Sequence, residues 1–145
     1  MTVEEAFSLR DQFGWTPAPD DGRFFVTPVS NGEEDGTISI DRENRIYISG
    51  IDFNVTSQLP KDADPNTQSE MRSVYSRYVE ALTMRYGVGE ARSSSDVDGV
   101  LWHLPSRASV DIGITRRSIS VVIESPAMTD LTEAEEKYFA EGGEL

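Results

Sequence analysis

Apolar residues in this chain fall at two spacings, and the stretches that carry them alternate in blocks. Between Thr67 and Tyr86, Met71, Val74, Tyr75, Tyr78, Leu82 and Tyr86 recur every three or four residues. That places one apolar stripe along a long helix, closed by Gly87 and Gly89. Near the start, Thr2 followed by Glu5 matches the pattern in which a hydroxyl and a carboxylate reciprocally cap a helix. Val3, Ala6, Phe7 and Phe13 then follow at roughly helical spacing, and Gly14 marks the stop. Thr132-Glu133-Ala134-Glu135 repeats the capping pattern and predicts a short last helix ending near Gly142, with a frayed tail over 142–145.

The remaining apolar stretches alternate with period two. FFVTPV at 24–29 predicts a short strand, with Pro28 placing it at an edge or ending it. TISI at 37–40 and RIYISGIDFNV at 45–55 predict a hairpin around 41–44. The second of these changes parity: Ile46 and Ile48 share one phase, Ile51, Phe53 and Val55 the other. An extra residue at Ser49-Gly50 would bring the two phases onto one face as a bulge. After a polar, proline-bearing loop at 57–67 and the long helix, three strands follow. They carry Val100, Trp102 and Leu104, then Val110, Ile112 and Ile114, then Ile119, Val121 and Ile123, with short turns between. The pattern predicts a single α+β domain over residues 1–145. Its order is α-β-β-β-α-β-β-β-α, with an antiparallel sheet and the helices packed on one face.

Composition narrows what such a domain does. With 37% hydrophobic and 27% charged residues the chain is expected to fold, and no apolar run is long enough to span a bilayer. The N-terminal stretch lacks the basic start and apolar middle of a signal peptide, so a cytoplasmic location is expected. The absence of cysteine removes disulfides, thiolate metal sites and cysteine nucleophiles. The net charge of −13 repels nucleic-acid phosphates and anionic membranes and attracts basic partners.

The chemistry-bearing patterns are sparse. His103 is the one histidine; strand alternation turns it away from the Trp102 side. Asp111 and the serines 109, 118 and 120 lie near it in sequence, but none belongs to a nucleophile motif. Asp96-Val97-Asp98-Gly99 and Glu33-Glu34-Asp35-Gly36 each begin like a calcium loop without completing its spacing. No catalytic residue, no metal site and no cofactor is therefore expected, nor enzymatic activity. What stands out is loop charge at Asp20 and Asp21, at Glu33, Glu34 and Asp35, and at Asp96 and Asp98. These are the candidate residues for binding a basic protein partner, where charge raises the association rate more than the affinity.

YVEALTMRYG, followed by VLWHLPSRASVDIGITRRSISVVIESPAM, resembles a family of uncharacterised actinobacterial proteins. Trp102, Leu104 and Pro105, then Ser125 and Pro126, carry the pattern, and FGW at 13–15 fits it. Such proteins look like immunity proteins of polymorphic toxin systems. The resemblance implies a cytosolic antidote that occludes a secreted toxin domain encoded nearby. The layout is also similar to type III secretion chaperones, which implies a dimer holding a secreted effector; this leaves monomer and dimer both open.

Overall fold

The computed structural model describes residues 1–143. Its elements run α1 (Val3–Gln12), β1 (Thr16–Pro17), β2 (Phe24–Val26), β3 (Gly36–Ile40), β4 (Ile48–Asn54) and α2 (Pro65–Tyr86). They continue with β5 (Glu90–Ser93), β6 (Asp98–His103), β7 (Ser109–Ile114), β8 (Ile119–Glu124) and α3 (Pro126–Ala140). The eight strands form one antiparallel sheet in the order β1-β2-β3-β4-β8-β7-β6-β5. The α+β class and the alternation of helices with strand blocks hold. Each block has four strands rather than three, because β1 and β5 each add an outer strand. β1 is two residues long and β5, Glu-Ala-Arg-Ser, is almost without apolar residues, so neither carries a period-two signal.

Local chemistry sets the element ends. Thr2 accepts from the Glu5 amide while the Glu5 carboxylate accepts from the Thr2 amide, the reciprocal cap expected from the sequence. Asp64 caps α2, with Pro65 in the first turn, and Gly87 ends the helix at φ +87°. In β4 the pairing with β3 steps from Gly50 directly to Ile48, which leaves Ser49 as the extra residue. That is the bulge that the change of parity demands, and it returns Ile48, Ile51 and Phe53 to one face.

One face of the sheet is the core face. Cross-strand pairs align Ile38, Ile51, Ile123, Val110 and Trp102 in a row. Met71 and Tyr75 of α2 pack on Trp102, Ile112, Ile114, Ile119 and Val121, and Ala6 of α1 packs on Phe25, Ile38 and Ile48. Trp102 is 2% exposed and donates its indole N–H to the Gly87 carbonyl at 2.8 Å, tying β6 to the end of α2.

Two expectations need correction. The helices do not all share a face: α1 and α2 do, but α3 lies on the opposite one, where Thr129 bonds Ser109 and Thr132 bonds Glu124. Ser109 and Glu124 have the opposite parity to Val110 and Ile123, so α3 covers the outer face. The last helix is also capped by Ser125 at its hydroxyl, with Pro126 in the first turn, not by Thr132. Ser-Pro is itself a helix start, and it outcompetes the hydroxyl–carboxylate pattern farther on. Of the frayed tail expected over 142–145, residues 144 and 145 lie outside the described residues.

Replacing Trp102 by Ala is expected to cost about 3–5 kcal/mol of stability. The neighbouring His103→Ala is expected to cost less than about 1 kcal/mol. Denaturant unfolding of the two variants measures this, and equal losses would contradict the assignment of faces. Gly50 lies where β4 meets β8, and a Cβ there would come within 2.8 Å of the Ile123 carbonyl oxygen. Gly50→Ala is therefore expected to cost about 1–3 kcal/mol by the same measurement.

Candidate functional site

The acidic loops do not converge. Strand directions place the 18–23 loop, with Asp20 and Asp21, at the same end of the sheet as the 41–47 and 104–108 loops. Glu33, Glu34, Asp35 and Asp96 lie in loops at the other end, and Asp98 starts β6 there. Three of these carboxylates are fasteners within the fold. Asp21 is held by Arg23, which lowers its pKa to about 2. Asp35 accepts from Ser30 at 2.6 Å and from Asn54 at 3.1 Å. Asp98 accepts from Ser93 and from Arg72, and its pKa is lowered by both. Asp20, Glu33, Glu34 and Asp96 are exposed.

A larger concavity lies elsewhere, on the outer face. Cross-strand pairs align Phe24, Thr37, Asp52, Val122, Asp111, Leu101 and Glu90 across it. Beside α3 this face opens into a groove of about 790 Å³. Phe24 of β2 and Thr37 and Ser39 of β3 form one wall, and Ala127, Met128 and Leu131 of α3 the other. Asp41, Glu43 and Glu135 lie at it together with Arg23 and Arg42. Phe24 and Leu131 are 39% and 51% exposed, so each wall carries an exposed apolar side chain within a charged rim. Sequence reasoning missed this groove because placing the helix start at Thr132 left Ala127 to Leu131 in a loop. The Ser125-Pro126 pair was the signal that would have found it. A smaller polar pocket of about 190 Å³ lies between α2 and the 94–97 and 115–118 turns, with Arg72, Arg116, Asp96 and Asp98 in its lining.

Charge holds the second half of α3 down. Arg107 pairs with Asp130 and with Glu133, and Arg92 grips Glu136 at 2.9 and 3.3 Å. Arg107 stands at φ +73°, a left-handed conformation uncommon outside glycine, in the turn between β6 and β7. His103 presents Nδ1 to Glu133 at 3.5 Å and is 41% exposed, turned away from Trp102 as its parity requires. The Ser109 hydroxyl is engaged by Thr129, and that of Ser118 by Thr115. Among the described residues, no group of three or more His, Asp or Glu side chains is arranged to hold a metal ion.

Asp111 lies on the same face, and burial raises its carboxyl pKa, an effect only partly offset by Arg92. Asp52 is shifted the same way, by desolvation and by the Asp35 carboxylate.

A two-faced α+β sheet protein emerges, built as two helix-plus-four-strand halves around one seam, with a groove on its outer face. The chain belongs to a family of unknown function (DUF6301), whose match spans residues 1–125 and stops at the residue that caps α3. No curated protein and no solved structure matches it. Among the described residues, no helix is long and apolar enough to cross a membrane.

The raised pKa of Asp111 fixes the sign of a pH effect. The folded state holds this proton more tightly than the unfolded one, so the ionised carboxylate opposes folding at neutral pH. The penalty fades as pH falls through the raised pKa towards the ordinary carboxylate value of about 3.9. Asp111→Asn is therefore expected to raise the Tm at pH 7, with the gain disappearing below about pH 4. Thermal melts across that range check it; a gain independent of pH would contradict the assignment.

Proposed function

We propose that this protein is a cytosolic immunity protein, which binds a basic toxin domain and occludes its active site. The observation that carries the reading is the outer-face groove, where the exposed Phe24 and Leu131 flank an opening about 790 Å³ in volume. An interface needs a desolvated apolar centre with charge at its rim, and this groove supplies both. The chain around it carries a net charge of −13. A toxin acting on nucleic acid or on a phosphorylated cofactor has a cationic cleft, which an acidic protein fits and is drawn to over distance. The resemblance of residues 100–128 to uncharacterised actinobacterial proteins that look like immunity proteins supports the same reading.

On this reading the exposed acidic loops act by steering. Asp20, Glu33, Glu34 and Asp96 are divided between the two ends of the sheet, so they raise the encounter rate and do not form one contact patch. Asp21, Asp35 and Asp98 contribute to the same field while their carboxylates remain engaged within the fold.

Surface plasmon resonance with the toxin domain encoded beside this chain tests the proposal. The association rate is expected to fall steeply as salt is raised. The double substitution Phe24→Ser, Leu131→Asp is expected to weaken binding by about a hundredfold or more, as for the loss of a central apolar anchor. Absence of a complex, or unchanged affinity in the double variant, would overturn it.

A further inference from the structure

α3 is seated the wrong way round for a core helix. Its sheet-facing positions are Thr129, Thr132, Glu133 and Glu136, which bond Ser109, Glu124, Arg107 and Arg92. Leu131, Tyr138 and Phe139 are each about half exposed, and Thr129 is the single buried residue of the helix. A helix that belongs to a core buries its apolar stripe and shows its charges to water. Here the carboxylates are the contact.

The surface beneath is their complement. In a chain of net charge −13, Arg92 of β5, His103 of β6 and Arg107 of the following turn are gathered at one edge of the outer face. Asp130, Glu133 and Glu136 are spaced three apart along α3 and meet them in turn. Leu101, 8% exposed, supplies an apolar seat on this face, and Ser109 a polar peg. The ion pairs of Arg92 and Arg107 with α3 are solvent-accessible on both sides, between 38% and 58% exposed, and such pairs hold weakly. The family match stops at Ser125, where α3 begins.

We infer that the outer face of β5 to β7 is a docking site for an acidic amphipathic helix of a partner protein, which α3 occupies as a displaceable intramolecular ligand. The helix that replaces it carries carboxylates three residues apart, as α3 does. A bound helix exchanges with α3 and does not add to it, so apparent affinity is reduced by the fraction of molecules in which α3 is seated. α3 also supplies Ala127, Met128 and Leu131 to the groove, so a helix that displaces it removes that wall. The inference itself rests on the contacts beneath α3 and not on the toxin reading.

The probe is a fluorescein-labelled peptide of residues 125–143, added to the full chain and followed by anisotropy. Saturable binding is expected, weakened at least tenfold between 50 and 500 mM salt and by the substitutions Arg92→Ala and Arg107→Ala in the protein. A second peptide with Asp130→Asn, Glu133→Gln and Glu136→Gln tests the same contacts with the protein itself unaltered, and it is expected to lose binding by at least tenfold. No saturable binding of the first peptide would overturn the inference. Equal binding of the neutralised peptide would overturn it as well, since the carboxylates would then not be what the surface reads.

Discussion

Everything else in this fold rests on the antiparallel pairing of β4 with β8. Five consecutive pairs, from Gly50 with Glu124 to Asn54 with Ser120, fuse two four-stranded meanders into one sheet. The seam is also where the two cores meet: Phe53 packs against the cluster under α1 and against the cluster under α2. The cluster under α2 has eight buried residues and the cluster under α1 four, so the smaller half leans on the larger. Joined, they share a continuous apolar row across the seam, and burial on that scale is what sustains a domain of this size. The closeness of the two strands depends on Gly50, and the bulge at Ser49 beside it keeps both phases of β4 facing inward. Ser49 also accepts the Ser125 amide through its carbonyl, which anchors the start of α3 to the seam.

The two faces of the sheet then differ in kind. The core face is packed and apolar. The outer face carries Asp52, Asp111 and Glu124 among Val122 and Leu101, under a helix attached by threonines and carboxylates. Placing ionisable groups there has a cost, and the raised pKa values of Asp52 and Asp111 are its sign. Stability alone would favour apolar side chains at those positions and an apolar underside on α3. Positions that break such local rules are where functional sites concentrate.

Much of this was legible in the sequence, for identifiable reasons. The cap at Thr2 with Glu5 is a local signal that tertiary packing had no reason to override, and so is the first part of the α2 stripe. Tyr78 and Tyr86, expected on it, are exposed, and Val79 packs on the core instead. The bulge was legible because a parity error in a half-buried strand has only one inexpensive remedy. His103 was placed outward by alternation alone. The outer strands β1 and β5 were not legible, because an edge strand of polar residues pairs through its backbone and leaves no side-chain period. The position of α3 was not legible either. Its polar underside gives no apolar stripe to align with the core, and a capping pattern at Thr132 competed with the true start at Ser125. Of the seven candidate carboxylates, the sequence showed the charge but not its partners: Asp98 meets Arg72 across twenty-six residues, a contact only the fold creates. The groove was hidden by the same misplacement of α3.

The central claim is that a cooperative core spans the β4–β8 seam and that α3 is a separable cover on the other face. Residue-resolved hydrogen exchange of the full chain under native conditions tests it most directly. Amides in β4, β7 and β8 are expected to exchange only through global unfolding, with a common opening free energy. Amides of α3 beyond Thr129 are expected to exchange through a smaller local opening that becomes easier as salt is raised. Protection in α3 equal to that of the seam strands, and indifferent to salt, would contradict the account.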